Sequence, residues 1–324
     1  MIKRYRVANH IFELEMAEGP LWDRLTNYSP FETDPAAEEA TEAPAPDGAS
    51  PAAPLSAPIF HVKVLHTPDG PEYPATKTPV LVGSYEKGAP KLDLYRCPDG
   101  WWVEMAPLDD MAPTAWLQIS DDFSSAVLQE DTESDNGRFG VDNAMMLTFA
   151  FRTSTLHTLE MHSSVVVKDG LGFMFLGKSG TGKSTHSRMW LENLEGVRLL
   201  NDDNPIIRIE NGLATVYGSP WSGKTPCYRN ESAPIGAIVL IRRCKENRVT
   251  RMDIPEAYAT ILSSSSGFRA VEKMADGLHE TMAGLITGVP CYVLDCLPDG
   301  DAARVCNRGV NPAAMDKEQK DGEA

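Results

Sequence analysis

The sequence predicts an α/β protein, a β-rich front domain over residues 1–140 followed by a mixed-sheet domain over residues 141–310. Three observations carry that prediction. The front third holds short runs that alternate apolar and polar residues at period two, punctuated by Gly and Pro clusters, which is strand patterning. The middle holds an apolar run, a glycine-rich loop and a helix-forming segment in immediate succession. Beyond it, strand-like runs such as Ala237–Ile241 and Cys291–Leu294 flank a segment in which Val271, Met274, Leu278, Met282 and Leu285 recur at helical spacing. The length of 324 residues suits two domains of ordinary size.

In the front domain, Tyr5–Val7, Ile11–Met16, Ile59–Leu65 and Thr114–Ile119 read as strands. Asp34 to Pro58 is built mostly of Ala, Pro, Glu and Asp, with five acids and no Lys or Arg. Such a segment buries too little apolar area to offset its ordering entropy, and it reads as a disordered insertion. Trp101 and Trp102 follow an Asp99-Gly100 hairpin signal; the residues fit packing plus an exposed strand face, or a ligand platform. Asn143–Phe151 reads as an apolar helix of the core.

Phe173–Leu176 reads as a buried strand and Ser184–Leu194 as a helix. Between them Gly177-Lys178-Ser179-Gly180-Thr181-Gly182-Lys183-Ser184 matches G-x-x-x-x-G-K-[ST], the phosphate-cradling P-loop, with Thr185 following. Glycines let backbone N–H groups turn toward a polyphosphate with no Cβ in the way. The helix start adds open N–H groups and the positive end of its dipole. Lys183 can reach the β- and γ-phosphates, and the Ser184 hydroxyl can ligate Mg²⁺. The ligands these residues imply are ATP, or another nucleoside tri- or diphosphate, and Mg²⁺.

After a Glu195-Gly196 turn, Val197–Asn201 reads as a strand ending in Asp202-Asp203. Only 17 residues separate Ser184 from Asp202, room for one helix, one turn and one strand. Carboxylates at a strand end beside a P-loop hold Mg²⁺ or accept a proton from a nucleophile. Sequence leaves open which Asp does which. Ile206–Ile209, Asn211-Gly212 and Leu213–Tyr217 form a hairpin signal. Lys224 and Arg229 are the next cations, each either a partner for the transferred phosphoryl or a solvated charge. Arg242 and Arg243 read as surface charges at a strand end, Ser263–Ser266 as a loop between helices or an acceptor for autophosphorylation, and Pro298-Asp299-Gly300-Asp301 as the lead into a short final helix.

These residues resemble HPr kinase/phosphorylase and ATP-dependent phosphoenolpyruvate carboxykinase, which share a P-loop fold marked by an Asp-Asp strand soon after the loop and a histidine shortly before it. Here Met161-His162-Ser163-Ser164-Val165-Val166-Val167 leads through Gly170 and Gly172 into the loop, and Tyr217-Gly218-Ser219-Pro220-Trp221-Ser222-Gly223-Lys224 resembles bacterial HPr kinase-like proteins with no assigned substrate. The resemblance covers about residues 140–305. It implies a phosphoenolpyruvate carboxykinase/HPr kinase-type P-loop domain and a kinase acting on a serine-type hydroxyl of a protein, peptide or small molecule. It gives His162 a contact to the transferring phosphoryl or to a second metal, and makes Asp202, Asp203, His162 and Lys183 the catalytic set. Two alternatives stay open, a carboxykinase-like lyase and a nucleotide-binding regulatory module without transfer activity. The chain lacks a segment like the HPr kinase C-terminal signature, and it is far shorter than a carboxykinase.

Hydrophobic residues make up 42% and charged residues 23%, a globular composition. The net charge of −16 disfavours nucleic acid and anionic membrane as partners. The basic start Met1–Arg6 leads into no long apolar stretch, and no run approaches the roughly 18 residues of a membrane span. Neither a signal peptide nor a transmembrane helix is expected. The six cysteines show no C-x-x-C pair or zinc spacing and read as reduced thiols of a cytoplasmic protein. A homo-oligomer is compatible with the sequence. Asn311–Ala324 is polar and charged and reads as a loose tail.

Overall fold

The computed structural model describes residues 1–34, 57–81, 90–223, 225–267 and 269–314. The body of the expected insertion, Lys224 and the last part of the expected tail therefore lie outside the described residues. The chain divides into two compact units, Met1–Arg152 and Thr153–Ala324.

The first unit contains β1 (Ile2–Val7), β2 (His10–Glu15), α1 (Leu21–Arg24), β3 (Glu32–Thr33), β4 (Phe60–His66), β5 (Thr78–Leu81), β6 (Lys91–Cys97), β7 (Gly100–Ala106), β8 (Ala115–Ile119), β9 (Ser125–Glu130) and α2 (Gly137–Thr153). Its strands form one sheet in the order β3-β1-β2-β4-β9-β8-β7-β6-β5. The β2/β4 and β4/β9 pairs are parallel and the rest antiparallel. Helix α2 covers part of it: Phe149 meets the stacked Phe12 and Phe60 rings edge-on. The tryptophan pair departs from expectation. Strand β7 lies between β6 and β8 and is covered on both faces, so Trp101 and Trp102 are both buried and neither lies on an exposed strand face.

The second unit contains β10 (Thr158–Met161), β11 (Ser163–Lys168), β12 (Leu171–Leu176), α3 (Lys183–Asn193), β13 (Arg198–Asp203), β14 (Ile206–Glu210), β15 (Leu213–Tyr217), β16 (Ser232–Arg243), β17 (Arg248–Arg251), α4 (Ile254–Ser264), β18 (Ser265–Ser266), α5 (Glu272–Gly288), β19 (Cys291–Cys296) and α6 (Gly300–Val310). Strand β12 lies between antiparallel β11 and parallel β16. Outside β11 runs β13, and beyond β16 run parallel β19 and then β17. The start of the long strand β16 pairs with β15, which continues through β14 and β10 to β18. Both units thus carry large mixed sheets with helices, a mixed α/β architecture.

Strand β12 is apolar throughout because both of its faces are covered. Phe173 and Phe175 pack with Trp190 of α3 and Ala302, Ala303 and Cys306 of α6. Met174 and Leu176 join the opposite cluster with Ile261 of α4 and Leu278, Met282 and Leu285 of α5. The β14–β15 hairpin turns at Asn211 and Gly212, both at positive φ, as a two-residue turn requires. Two local expectations differ from the structure. The run Ser263–Ser266 is not a loop: Ser263 and Ser264 end α4, and Ser265 and Ser266 form a short strand that pairs with Met161 and Glu160 of β10. The final helix starts at Gly300, with the Asp299 side chain accepting from the Ala302 N–H as its N-cap.

Candidate functional site

The segment Gly177–Ser184 leaves the end of β12 and enters α3 at Lys183. Gly180 and Gly182 sit at φ 73° and 117°, where a side chain would be strained. Gly182 caps α3 with no side-chain hydrogen bond, so the first-turn amides face the loop. The Thr181 N–H donates to Lys178 O at 3.1 Å and closes a turn within the loop. Lys178, Ser179 and Ser184 are exposed, and Thr185 is half-buried on the first turn of α3.

Sheet register decides what meets the loop. Ser164 pairs with Phe175 on one side and Asp202 on the other, and Ser163 pairs with Asp203. The start of β11, the end of β12 and the end of β13 therefore share one sheet edge. His162 precedes β11, held by its N–H to Ser264 O at 2.7 Å. Its side chain is 42% exposed at that edge and is not in the core. Lys183 Nζ lies 3.0 Å from Gly177 O and 2.8 Å from His162 Nε2. His162 Nδ1 lies 3.0 Å from Asp203 Oδ1. An ammonium only donates, so Nε2 accepts and the ring proton belongs on Nδ1, donated to Asp203. The result is a directed chain, Lys183 to His162 to Asp203, with one histidine tautomer selected.

The Asp pair is held by the segment that follows β15. Buried Asn201 donates to Ser219 Oγ and Trp221 O and accepts from the Asn204 N–H. Ser222 bridges to Asp203, and Gly223 N–H donates to Asp202 O at 2.7 Å. A Cβ on Gly223 would stand 3.2 Å from the Asp203 Cβ, so the wrap fits closely. Asp203 itself sits at φ 152°, which L-residues rarely adopt and which persists only where the surroundings fix it. Asp202 is buried at 4% exposure, while the Asp203 side chain is 34% exposed.

Sequence reasoning missed two residues here. Arg243, read as a surface charge, donates from Nε to Thr181 O at 3.2 Å and from its terminal amine to Gly180 O, tying β16 to the loop. Only long-range pairing places it there, and no local signal announces it. Glu160 is buried in β10, and its carboxyl makes no ion pair among the described residues. Burial pushes its carboxyl up to about 8, opposed by hydrogen bonding from Ser266 and helped, to a lesser degree, by the Asp203 charge. A lone acid within the run Thr158–Met161 was the available signal. The other cations stand apart: Arg242 pairs with Asp295 at 2.8 and 2.9 Å, and exposed Arg229 pairs with Glu231 at 3.5 Å.

Oxygen donors at or beside the loop include the exposed Ser184 hydroxyl and, at the end of β13, the Asp202 and Asp203 carboxylates. Hard oxygen donors in small number fit Mg²⁺, which keeps waters and shares its shell with substrate phosphates. Among the described residues, no group of three or more His, Cys, Asp or Glu side chains gathers into a metal cage. His186, beneath the loop, is driven by burial down to about 4, so it is neutral and accepts from Trp190 Nε1 at 3.0 Å.

No family model matches the chain, and no curated protein matches it. In structure it is similar to the Hpr(Ser) kinase/phosphatase from Coxiella burnetii, with 12% sequence identity, 51% of this chain and 95% of that chain covered, and a TM-score of 0.32. Among the described residues, no helix is long and apolar enough to cross a membrane.

Proposed function

We propose that the second unit binds a nucleoside triphosphate with Mg²⁺ and transfers its γ-phosphoryl group to a hydroxyl acceptor. The observation that carries the reading is the chain from Lys183 through His162 to Asp203 beside the Gly177–Ser184 loop. A loop that only bound phosphate would need the lysine and the amides, but not a carboxylate oriented through a histidine.

The loop amides and Lys183 Nζ take the β- and γ-phosphate oxygens, Lys183 giving up its contact with Gly177 O. His162 holds Lys183 in place and, through Nδ1–H, fixes the Asp203 carboxylate. Asp203 is the more accessible acid and accepts the proton of the acceptor hydroxyl. The acceptor oxygen bonds to the γ-phosphorus as the bond to the β,γ-bridging oxygen breaks, releasing nucleoside diphosphate. Ser184 and Asp202 would hold Mg²⁺, which supplies charge neutralisation for the phosphoryl oxygens when bound. The acceptor class that fits a carboxylate base is an alcohol on a protein, peptide or small molecule.

Isothermal titration tests the first half of this reading. Mg·ATP should bind the full chain, and Lys183→Ala should weaken it by about tenfold or more, the effect of losing one charge-assisted contact to phosphate. Equal affinity in wild type and variant would refute the phosphate site.

A further inference from the structure

A cavity of 280 Å³ opens beside the loop, lined by Thr181 and Thr185 of the loop and α3, Met189 of α3, Ile241 of β16, and Leu297 and Pro298 beyond β19. Its wall is mainly apolar. The one cationic side chain on it, Arg243, is turned onto the Gly180 and Thr181 carbonyls, and His186 on the same wall is neutral. A polar groove lined by Gly177–Thr181 and the end of β16 adjoins it, sharing Thr181, Ile241 and Arg243.

The strand order gives the two flanks of the loop different characters. In β13-β11-β12-β16-β19 the loop leaves from β12 in the middle. His162 and the Asp pair lie on the β11/β13 flank, and the apolar cavity lies on the β16/β19 flank. An amphiphilic ligand spanning the loop would put its reacting anionic end toward Asp203 and its uncharged end into the cavity. An acceptor must approach from the Asp203 side, so the cavity is not its place.

We propose that the cavity between α3 and the C-terminal ends of β16 and β19 receives the nucleoside of the bound nucleotide, the base lying against Met189, Ile241, Leu297 and Pro298. This rests on the nucleotide reading above and adds to it an orientation for the ligand. Concave, mostly apolar sites with a few polar groups at the rim are what flat, uncharged ring systems occupy. Thr185 and the Arg243 guanidinium supply that rim.

Cys244 provides a readout. It lines the same cavity and is the exposed one of six free cysteines, the other five being buried. Alkylation of Cys244 in the full chain should slow by about fivefold or more with saturating Mg·ATP, and stay within about twofold with Mg·tripolyphosphate, which lacks the nucleoside. Leu297 is 39% exposed, so Leu297→Trp can fill the cavity from its rim without entering the core. That variant, checked by its melting curve, should lose about tenfold or more in ATP affinity while binding tripolyphosphate as wild type does. If ATP binds without shielding Cys244 and Leu297→Trp binds it normally, the cavity assignment is overturned and the phosphate site stands. If neither ATP nor tripolyphosphate binds wild type, the nucleotide reading fails and takes this inference with it.

Discussion

Replacing Glu160 with Gln should change how the second unit responds to alkali. The carboxyl is buried, and burial, against the hydrogen bonding of Ser266 and with a smaller push from the Asp203 charge, raises it from 4.5 to about 8. Its folded value lies above its unfolded value, so the folded state binds more protons between the two. The stability it allows is fully present below about 4.5 and is lost as pH rises through about 8. The full rise corresponds to about 5 kcal/mol, an upper bound because a site that ionises relaxes and admits water. Gln is isosteric with the protonated acid and never ionises. The stability of Glu160→Gln minus that of wild type should therefore grow from near zero at pH 4 to about 2–5 kcal/mol at pH 9. Urea unfolding of both proteins at pH 4, 7 and 9 gives that difference, and the contribution of the first unit cancels in it. A difference that stays constant across the pH range would show that Glu160 binds its proton alike in the folded and unfolded chain, and would refute the raised carboxyl.

Two further outcomes follow from the same geometry. His162→Ala keeps the backbone bond to Ser264 and removes a half-exposed ring, so stability should change by about 1 kcal/mol at most; phosphoryl transfer per folded molecule should fall by about tenfold or more. Unchanged activity per folded molecule, measured beside the melting curve, would take His162 out of the mechanism. In the first unit, a Cβ on Gly140 would stand 1.8 Å from Glu130 Oε2, so Gly140→Ala should destabilise by about 1–3 kcal/mol despite the helix propensity it gains. Gly137→Ala, whose nearest contact would be 3.3 Å, should stay within about 1 kcal/mol of wild type by thermal unfolding. Similar effects at the two positions would mean the Glu130 carboxyl does not fill that space.

The elements around the loop were legible because their signals are local. An apolar run covered on both faces, three glycines and a lysine at fixed spacing mark β12, the loop and α3 within about twenty residues. Asn211-Gly212 likewise marks its hairpin, since only residues tolerant of positive φ make that turn. What stayed hidden depends on pairing across distance. Ser265 and Ser266 become a strand only because β10 lies beside them. Arg243 reaches the loop carbonyls only because β16 runs parallel to β12, a partnership no local pattern encodes. Trp101 and Trp102 read as half-exposed because period-two patterning cannot tell a central strand covered on both faces from an edge. The contact between Lys183 and His162, 21 residues apart, follows from the antiparallel β11–β12 register, which the spacing suggested without fixing its geometry.

Transfer itself is the most direct test of the account. The full chain is incubated with γ-labelled ATP, Mg²⁺ and a pool of soluble proteins and metabolites, and the labelled products are identified by mass spectrometry. The account predicts a phosphorylated hydroxyl compound that forms with wild type and falls by about a hundredfold with Asp203→Asn, the scale of a lost general base, while that variant still binds Mg·ATP in a parallel titration. Label that stays in ATP with wild type, or an Asp203→Asn variant that transfers at the wild-type rate, would contradict it.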